Sequence, residues 1–444
     1  MIRWKVKKRI QVIFLCCVML FACILGKLGY EQLFHHGEIM EKAKESWERD
    51  FTVAGLRGSI LDSKGEKLAY DVPSTSVMVV PAQIKDADTT AKQLADILEA
   101  DEKKIKSTLT KKTSTQKIQP EGRLIDDKKA KKIEELDLDG VYLVQDSLRY
   151  YPNNNYLAQV LGFTGIDNQG LAGLELQYDN ILRAQNGALK IPLDAKGHNV
   201  KMYKERYEAP GRGMDVQLTI DSTIQGIVER EVDNLVKKYH PKSALALAMN
   251  PKTGEILAMV SKPDFDPNHY EEYDRDVYNR NLPIWMSYEP GSTFKSVIFA
   301  SALDLNLFDM FKDTYDDKGY EMVNGARIKS WKAGGHGHQT FLQVLENSSN
   351  PGFVEISRRL GLDKEVEYVK KFGFGEKTGI DLPGESSGIM FDKKKMSELE
   401  QATVAFGQGI SVTPIQLVTA FSAIINGGTL YQPYITKSVL DPIT

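Results

Sequence analysis

Ser292 and Lys295 are the pair of side chains in this sequence best suited to nucleophilic chemistry. They stand three positions apart at the start of an apolar segment, 292–303, whose composition predicts the first turns of a buried helix. Residues three apart share one face of a helix, so the hydroxyl and the amine are predicted to be neighbours. A serine hydroxyl becomes a strong nucleophile when a base takes its proton, and a lysine kept neutral by burial can be that base. The same spacing also arises by chance on solvated helices, so the interpretation needs a second element.

A second polar element, from Ser348 to Asn350, follows 56 positions after Ser292 (348 minus 292). Ser348 could relay a proton, and Asn350 could hold the amide group of a peptide-like substrate. Pro351 and Gly352 come next, and they would also explain an ordinary polar turn before a helix. The order Ser-x-x-Lys and then Ser-x-Asn is shared with the penicillin-recognising serine acyl-transferases, and it favours a catalytic interpretation of both elements.

Those acyl-transferases also carry a third element, Lys-Thr-Gly, on a straight inner strand. The sequence contains two literal copies of it. The copy at 252–254 lies between two apolar runs, which predicts a hairpin turn, and it precedes Ser292 in the chain. The copy at 377–379 leads into Pro383 and nearby glycines, which favour a loop. We therefore expect that neither copy is catalytic and that residues 1–444 stop short of the third element.

The overall composition argues against several other classes of protein. The chain has 444 residues, 42% of them hydrophobic, which is enough to form two or more cores. A net charge of −3 argues against bulk affinity for nucleic acid. All three cysteines fall between positions 16 and 23, so no disulfide framework and no cysteine metal site is expected. His336 and His338 lie in a glycine-rich stretch without a third ligand, so we expect a plain loop there, no metal and no cofactor.

The first 30 residues predict a membrane anchor. Five basic residues lie between positions 3 and 9, and an uncharged apolar run follows from 10 to 26, which spans roughly 26 Å as a helix. The basic cluster is expected to stay in the cytoplasm, which places everything after residue 30 outside. A cleaved signal peptide would need a small-x-small site, and a lipoprotein would need a better cleavage box than the one at 20–23, which contains Phe21. We therefore favour an uncleaved anchor.

The remaining chain divides into three predicted parts. Residues 31–50 are polar and helix-prone and are predicted to form a stalk. Residues 51–210 combine short strands, charged helices and many turns with no nucleophile beside a base, so we interpret them as a non-catalytic pedestal domain. After a glycine-rich boundary, residues 211–444 show a strand, a helix, a hairpin and then a helical block that begins at Ser292. This order predicts an α+β fold.

The sequence resembles the class B penicillin-binding proteins, a family of D,D-transpeptidases, over nearly all of its length. The motifs that carry the resemblance are Arg57-Gly58 with Ile60 and Asp62, 170–175, 218–221, 289–295, 348–350, 380–385 and 406–409. Three further stretches, 195–197, 280–283 and 334–337, resemble the sporulation members of the family more than its division members. In the family a Lys-Thr-Gly-Thr strand follows the block that matches 406–409, and the sequence ends before such an element is reached.

The resemblance implies a β-lactamase-like transpeptidase domain, a helical block on an antiparallel sheet, incomplete at its C-terminal end and preceded by a pedestal or dimerisation domain. It implies that Ser292 attacks the bond between the last two D-alanines of a peptidoglycan stem peptide and that Lys295 accepts its proton. Ser348 would pass a proton to the leaving amine, and Asn350 would hold the substrate amide. The implied partners are stem peptides, β-lactams and a membrane-embedded glycan polymerase, with no nucleic acid among them.

Three alternatives remain open at this point. A β-lactam sensor would share the fold, but it would need a cytoplasmic effector domain, and only a short segment precedes the apolar run. A carboxypeptidase or β-lactamase would lack so large an N-terminal module, and no glutamate suited to activating a deacylating water follows Ser348. A scaffold that no longer reacts is disfavoured by the four polar residues of the two elements and favoured by the missing third element.

Overall fold

The computed structural model describes residues 2–35, 37, 40, 48–113, 115–192 and 206–441. Its first element is the helix Ile2–Phe34, which is longer than the uncharged run that predicts it. The segment Arg9–Phe34 of this helix has 26 residues, a mean hydropathy of 2.5 and no buried share, so it is long and apolar enough to cross a membrane. Half of the predicted stalk and the whole sporulation-like stretch at 195–197 lie outside the described residues.

The chain forms two compact units that do not follow chain order. The N-terminal unit contains Met1–Ala54, Pro73–Asp146 and Asn186–Gly211, and the C-terminal unit contains Gly55–Val72, Ser147–Gln185 and Arg212–Thr444. Two pieces of the predicted pedestal, which was placed at 51–210, therefore pack with residues from 212 onwards. The linear boundaries at 30, 50 and 210 stay predictions about the domains along the chain.

The N-terminal unit combines small sheets with three short amphipathic helices. Beyond the first helix, its helices are Ala87–Leu98, Glu102–Leu109 and Asp127–Glu135. Its strands are Glu48–Val53, Gln116–Lys117, Gly187–Pro192 and Arg206–Glu208, and it shares the strands Lys67–Val79 and Val141–Tyr150 with the C-terminal unit. Asp86, Asp101 and Asp126 cap the three short helices by accepting hydrogen bonds from backbone N–H groups of the first turns, which explains where these helices begin.

The C-terminal unit is a helical block beside a sheet. Its helices are Ala158–Leu161, Gly173–Gln177, Asp179–Leu182, Ser222–Tyr239, Arg275–Tyr278, Leu282–Trp285, Lys295–Asp304, Phe341–Glu346, Asn350–Leu360, Leu362–Lys371, Glu398–Val404 and Pro414–Ile425. Its remaining strands are Ile60–Leu61, Asp215–Leu218, Ala244–Met249, Ile256–Lys262, Thr314–Asp317, Tyr320–Val323, Ala326–Lys329, Gly337–Thr340 and Thr436–Leu440. The helix predicted after the first strand of residues 211–444 is confirmed as Ser222–Tyr239, with Asp221 as its N-cap.

The sheet of the C-terminal unit joins segments that are far apart in the sequence. Strand Asp215–Leu218 pairs in parallel with Ile60–Leu61 and antiparallel with Thr436–Leu440. The strands Ala244–Met249 and Ile256–Lys262 form an antiparallel hairpin. This hairpin lies next to the segment before strand Thr436–Leu440, because the backbone N–H of Ile256 donates to the carbonyl of Tyr434. Helices and mainly antiparallel strands in one unit confirm the predicted α+β class.

Two motifs of the family resemblance meet in a buried ion cluster of the C-terminal unit. Arg57 donates through Nε to Glu175 at 2.6 Å and through Nη1 to Asp179 at 2.6 Å. Arg149 donates through Nε to the second oxygen of Glu175 at 2.7 Å and lies 3.2 Å from Asp71. Because Glu175 is fully buried, removing either arginine would leave its buried charge only partly compensated, by the other arginine. The motifs at 57–62 and 170–175 therefore stabilise the unit that carries Ser292.

Candidate active site

Ser292 lies in a single 3₁₀ turn, Gly291–Phe294, that runs directly into the helix Lys295–Asp304, which we call the Lys295 helix. The predicted helix therefore exists, but its α-helical part begins three residues later than predicted, and Ser292 occupies the preceding turn. The Lys295 helix is buried on most of its surface, since Phe294, Val297 and Ile298 are fully inside the core. The Ser292 side chain itself is exposed. The turn thus presents an accessible hydroxyl on a rigid base.

The backbone before Ser292 is fixed by the glycine block at 406–409. Gly291 adopts a φ of +56° and donates its N–H to the carbonyl of Gly407 at 3.0 Å. A Cβ on Gly407 would come within 2.1 Å of the Gly291 carbonyl oxygen, so a larger residue does not fit there. The N–H of Gly409 also donates to the Glu289 carboxylate at 2.8 Å. These contacts explain why the sequence needs glycines so far downstream of the nucleophile.

Lys295 is buried, with 1% of its surface exposed, and its ammonium group points at the Ser348–Asn350 element. Nζ donates to Ser348 Oγ at 2.9 Å, to the Ser348 carbonyl at 2.8 Å and to Asn350 Oδ1 at 2.7 Å. Three of the four predicted site residues are therefore joined by direct hydrogen bonds, although the two elements are more than 50 positions apart in the chain. The Ser348–Asn350 element is thus more than an ordinary polar turn.

Burial lowers the pKa of Lys295 to about 8. The cause is desolvation, which penalises the charged ammonium form in an environment that contains the Phe353 ring, 5.3 Å from Nζ. A pKa near 8 leaves a substantial neutral fraction of the amine close to neutral pH. Lys295 therefore has the property that a general base requires.

The turn that carries Ser348 is strained. Ser348 has a φ of +49°, in the left-handed region, which costs a serine on the order of 1–3 kcal/mol and persists only where surrounding contacts hold it. Ser349 follows as the N-cap of the helix Asn350–Leu360, and its hydroxyl accepts a hydrogen bond from the N–H of Gly352 at 3.1 Å. Asn350 is the first residue of that helix, so its side chain is held next to Ser348.

The structure does not join Ser292 to Lys295 as the helical spacing predicted. Among the described residues, the Ser292 hydroxyl has no hydrogen-bond partner, and the Lys295 amine is bonded to the other element instead. Hydrogen bonds of a catalytic site often form only once substrate is bound, so this geometry does not disqualify the pair. The site residues remain a prediction, in which Ser292 is the accessible member and the other three form the supporting group.

Both literal Lys-Thr-Gly copies are where the sequence predicts them. Residues 252–254 form the turn of the hairpin between Ala244–Met249 and Ile256–Lys262. Residues 377–379 form a loop in which the Thr378 and Gly379 N–H groups donate to the Glu385 carboxylate. Since neither copy lies on a strand, the structure confirms that neither provides a straight Lys-Thr-Gly strand.

Sequence reasoning missed three residues that surround the Ser348 turn. Ser349 donates its hydroxyl to Asp317 Oδ2 at 2.8 Å, and both residues are fully buried. Trp331 donates its indole N–H to the carbonyl of Asn347 at 2.8 Å, while its ring remains 70% exposed. The acidic pair at 316–317 carries no signal of burial in the sequence. A tryptophan next to the glycine-rich loop was the one available hint.

Metal chemistry has no visible support in the part of the chain that the structure describes. No group of three or more His, Cys, Asp or Glu side chains is arranged there to hold an ion. His336 instead lies edge-on to the Trp331 ring, with centroids 5.4 Å apart. The Gly334–Gly337 loop therefore belongs to the rim of the candidate site.

Comparisons with known proteins agree with this arrangement. A family model described as the penicillin binding protein transpeptidase domain matches residues 244–444, and one described as the penicillin-binding protein dimerisation domain matches 52–218. The chain is 51% identical over 439 residues to stage V sporulation protein D of Bacillus subtilis (strain 168), an alignment covering 99% of this chain and 68% of that protein. The chain belongs to the class B penicillin-binding proteins.

More distant relatives of this penicillin-binding protein share its architecture. Peptidoglycan D,D-transpeptidase FtsI of Escherichia coli (strain K12) is 28% identical over 434 residues, which cover 96% of this chain and 72% of that protein. The crystal structure of a peptidoglycan synthetase from Bifidobacterium adolescentis ATCC 15703 matches 89% of this chain and 76% of that chain, with a TM-score of 0.70 and 25% identity. The predicted family, its two-domain organisation and the resemblance to a sporulation member are therefore confirmed.

Proposed function

We propose that this penicillin-binding protein is a serine-type peptidoglycan D,D-transpeptidase that works in spore-wall synthesis. The observation that carries the proposal is the buried Lys295 amine, which bonds both Ser348 and Asn350 and has a pKa of about 8. A structural lysine would normally keep a raised or ordinary pKa through a carboxylate partner, and Lys295 forms no salt bridge with a described residue. The similarity to stage V sporulation protein D supports the sporulation role.

In the first step of the proposed reaction, Ser292 Oγ attacks the carbonyl carbon between the last two D-alanines of a stem peptide. A bond forms between Oγ and that carbon, and the hydroxyl proton passes to the neutral Lys295 amine. The developing oxyanion is stabilised by backbone N–H donors, of which the Ser292 N–H is one. Each such donor is worth about 3–4 kcal/mol of transition-state stabilisation.

In the second step, the amide bond to the terminal D-alanine breaks. Ser348 passes a proton to the departing amine, and Lys295 replenishes the Ser348 hydroxyl, to which it lies 2.9 Å away. Asn350 orients the substrate amide through its Nδ2 group, while its Oδ1 keeps the Lys295 amine in place at 2.7 Å. D-alanine leaves, and the rest of the stem remains esterified to Ser292.

In the third step, the amine of a second stem attacks the ester carbon. The new amide bond forms the crosslink, the amine proton returns to the lysine–serine group, and the Ser292 hydroxyl is restored. A β-lactam imitates the first substrate, and opening of its ring leaves a stable acyl group on Ser292. The reaction needs no metal and no cofactor, because every proton transfer is made by side chains.

The proposed location is the outer face of the cytoplasmic membrane. The helix segment Arg9–Phe34 supports a single span, and the basic residues before it support a cytoplasmic N-terminus. A protein held there would act on newly polymerised glycan, and we include a membrane-embedded glycan polymerase as its partner. The membrane anchor keeps the transpeptidase near the site of polymerisation.

The proposed activity predicts a specific product. The full-length gene product, incubated with a stem pentapeptide ending in D-Ala-D-Ala and a primary-amine acceptor, is expected to release D-alanine and form the transfer product. Liquid chromatography with mass spectrometry measures both, and benzylpenicillin treatment should suppress both together. D-alanine release with no transfer at any acceptor concentration would instead identify a carboxypeptidase.

The proposed topology predicts the result of protease treatment. Protease added to intact protoplasts is expected to digest the chain beyond residue 34, because that part lies outside the membrane. An immunoblot against the region 211–441 measures the loss, and a cytoplasmic protein that stays intact is the control. Full protection of this region in intact protoplasts, with digestion after lysis, would reverse the proposed orientation.

A further inference from the structure

We propose that Asp317 is a positioning residue for the reaction and acts by clamping the Ser348–Asn350 turn through Ser349. The inference rests on the proposed function and deepens it, since it concerns how the same site is held. Asp317 touches neither Ser292 nor Lys295 through a hydrogen bond. Its effect on catalysis therefore passes through the turn that provides the partners of Lys295.

The clamp consists of two hydrogen bonds that one carboxylate accepts. Oδ2 of Asp317 accepts the Ser349 hydroxyl proton at 2.8 Å, and Oδ1 accepts the N–H of Gly319 at 2.8 Å. Because the Ser349 hydroxyl donates to Asp317, its lone pair is directed to the N–H of Gly352. One side chain thus fixes the orientation of the N-cap of the helix that begins at Asn350.

Asp317 is a costly residue to place in this position. It is fully buried, and among the described residues no cation lies within salt-bridge distance of its carboxylate. A buried carboxylate without a counter-ion is rare, and a carboxylate is a stronger hydrogen-bond acceptor than a neutral amide. An asparagine would fill the same space without the charge. The presence of the acid therefore suggests that a strong, directional acceptor is needed behind the turn.

The strained backbone of Ser348, next to Ser349, is what the clamp holds in place. Ser348 has a left-handed backbone, with a φ of +49°, and such a conformation persists only when neighbouring contacts determine it. Ser349 is the next residue, and its buried hydroxyl bond to Asp317 opposes relaxation of this backbone together with two other bonds, from Lys295 Nζ to the Ser348 carbonyl and from the Ser349 N–H to the Val344 carbonyl. If the turn relaxed, Ser348 Oγ and Asn350 Oδ1 would move away from Lys295 Nζ, which they now contact at 2.9 and 2.7 Å.

The clamp also connects the turn to the rim of the site. Asp317 pairs with Gly337 at the end of two antiparallel strands. Gly335 packs so closely that a Cβ there would lie 2.1 Å from the Asp317 carbonyl oxygen and 2.7 Å from Oδ1. This close approach explains the glycine at position 335 of the rim loop. The loop that carries Trp331 is therefore built around the same carboxylate.

The test compares Asp317→Asn with Asp316→Asn in the full-length protein. Asp316 is the exposed neighbour on the same strand, so its replacement removes a carboxylate without touching the clamp. Stopped-flow acylation by a fluorescent penicillin separates the first-order acylation constant from the dissociation constant of the initial complex. Asp317→Asn is expected to lower the acylation constant by about 10–100-fold with less than a threefold change in the dissociation constant, because misplacement of catalytic groups by about an ångström has this effect. Asp316→Asn is expected to match the wild type.

A double-mutant cycle tests the route of the effect. Asp317→Asn weakens the contact with Ser349, because it removes the charge and one of the two acceptor oxygens, and Ser349→Ala removes that contact. If Asp317 acts through Ser349, the double variant should therefore react no more slowly than the slower single variant. Multiplied effects of the two changes would contradict the clamp, and so would wild-type acylation by Asp317→Asn. If Asp317 had a purely structural role, its replacement would lower the thermal stability, and it would change the acylation constant and the dissociation constant to a similar extent.

Hydrogen exchange tests the clamp independently of the acylation reaction. Peptides covering 344–352 should take up deuterium faster in Asp317→Asn than in Asp316→Asn, since the Gly352 N–H loses an oriented acceptor. Failure of the wild-type protein to acylate at all would overturn the proposed function, and the exchange result would still decide the clamp. Equal exchange in both variants would overturn the clamp even where acylation at Ser292 is normal.

Discussion

Replacement of Ser292 by alanine is expected to abolish covalent binding of penicillin by the full-length protein. The reason is that the proposed ester forms on the Ser292 hydroxyl, which is exposed in the turn that leads into the Lys295 helix. Removing a nucleophile that works together with a base typically costs a rate factor on the order of 10⁶, which places the residual reaction below detection. Intact-protein mass spectrometry after penicillin treatment measures the loss of the adduct.

The matched control for this replacement is Ser287→Ala. Ser287 is an exposed serine five positions before Ser292, and its hydroxyl contacts that of Ser386 at 3.2 Å. This variant should bind penicillin at the wild-type rate, because its hydroxyl has no buried amine nearby. Circular dichroism of both variants establishes that they are folded. A persistent adduct in folded Ser292→Ala would place the nucleophile elsewhere.

Replacement of Lys295 by alanine is expected to slow acylation by about 10²–10⁴-fold, the usual contribution of a general base. The hydroxyl of Ser292 would then have no group to accept its proton. Lys295→Arg is the matched comparison, because it keeps a positive charge and a long side chain but cannot be deprotonated at any ordinary pH. It should be as slow as the alanine variant. An arginine variant that retained wild-type rates would show that the charge, and not proton transfer, is what matters.

The pH dependence of acylation follows from the pKa of about 8 at Lys295. The neutral amine is the reactive form, so the rate should rise tenfold per pH unit below about 8 and become level above it. With an ordinary lysine pKa of 10.5, the same rise would continue beyond pH 10. The rate is measured between pH 6 and 9.5 with a penicillin that is stable over this range. Loss of this pH dependence in both Lys295 variants would confirm that the Lys295 amine causes it.

The candidate site residues could be named from the sequence because each of the two elements is a short, local pattern, and their roles stay predictions. Ser292 and Lys295 sit on one stretch of chain, and Ser348 and Asn350 on another, so residue types alone indicated a nucleophile, a base and a relay. The hairpin turn at 252–254 was equally clear, because apolar runs on both sides of a glycine-containing turn form strands. In each case the determining interactions lie within a few residues of one another.

The remaining features depend on contacts between distant segments. The bond from Lys295 to the Ser348 turn joins positions 53 apart, and the bond from Ser349 to Asp317 joins positions 32 apart. No periodicity in a single sequence reports such pairs, because burial of a carboxylate is decided by the packing around it. The packing of 55–72 with the C-terminal unit was also not predicted, since it depends on the parallel pairing of Ile60–Leu61 with Asp215–Leu218.

The most direct test of the central claim is the position of the penicillin adduct. Trypsin should release the peptide 281–295, which contains Ser292 and ends at Lys295, and the peptide 333–358, which contains Ser348. Tandem mass spectrometry of the penicillin-treated full-length protein is predicted to find the added mass on Ser292 alone. An adduct on the peptide that contains Ser348, or on any other serine while Ser292 remains unmodified, would contradict the assignment of Ser292 as the nucleophile.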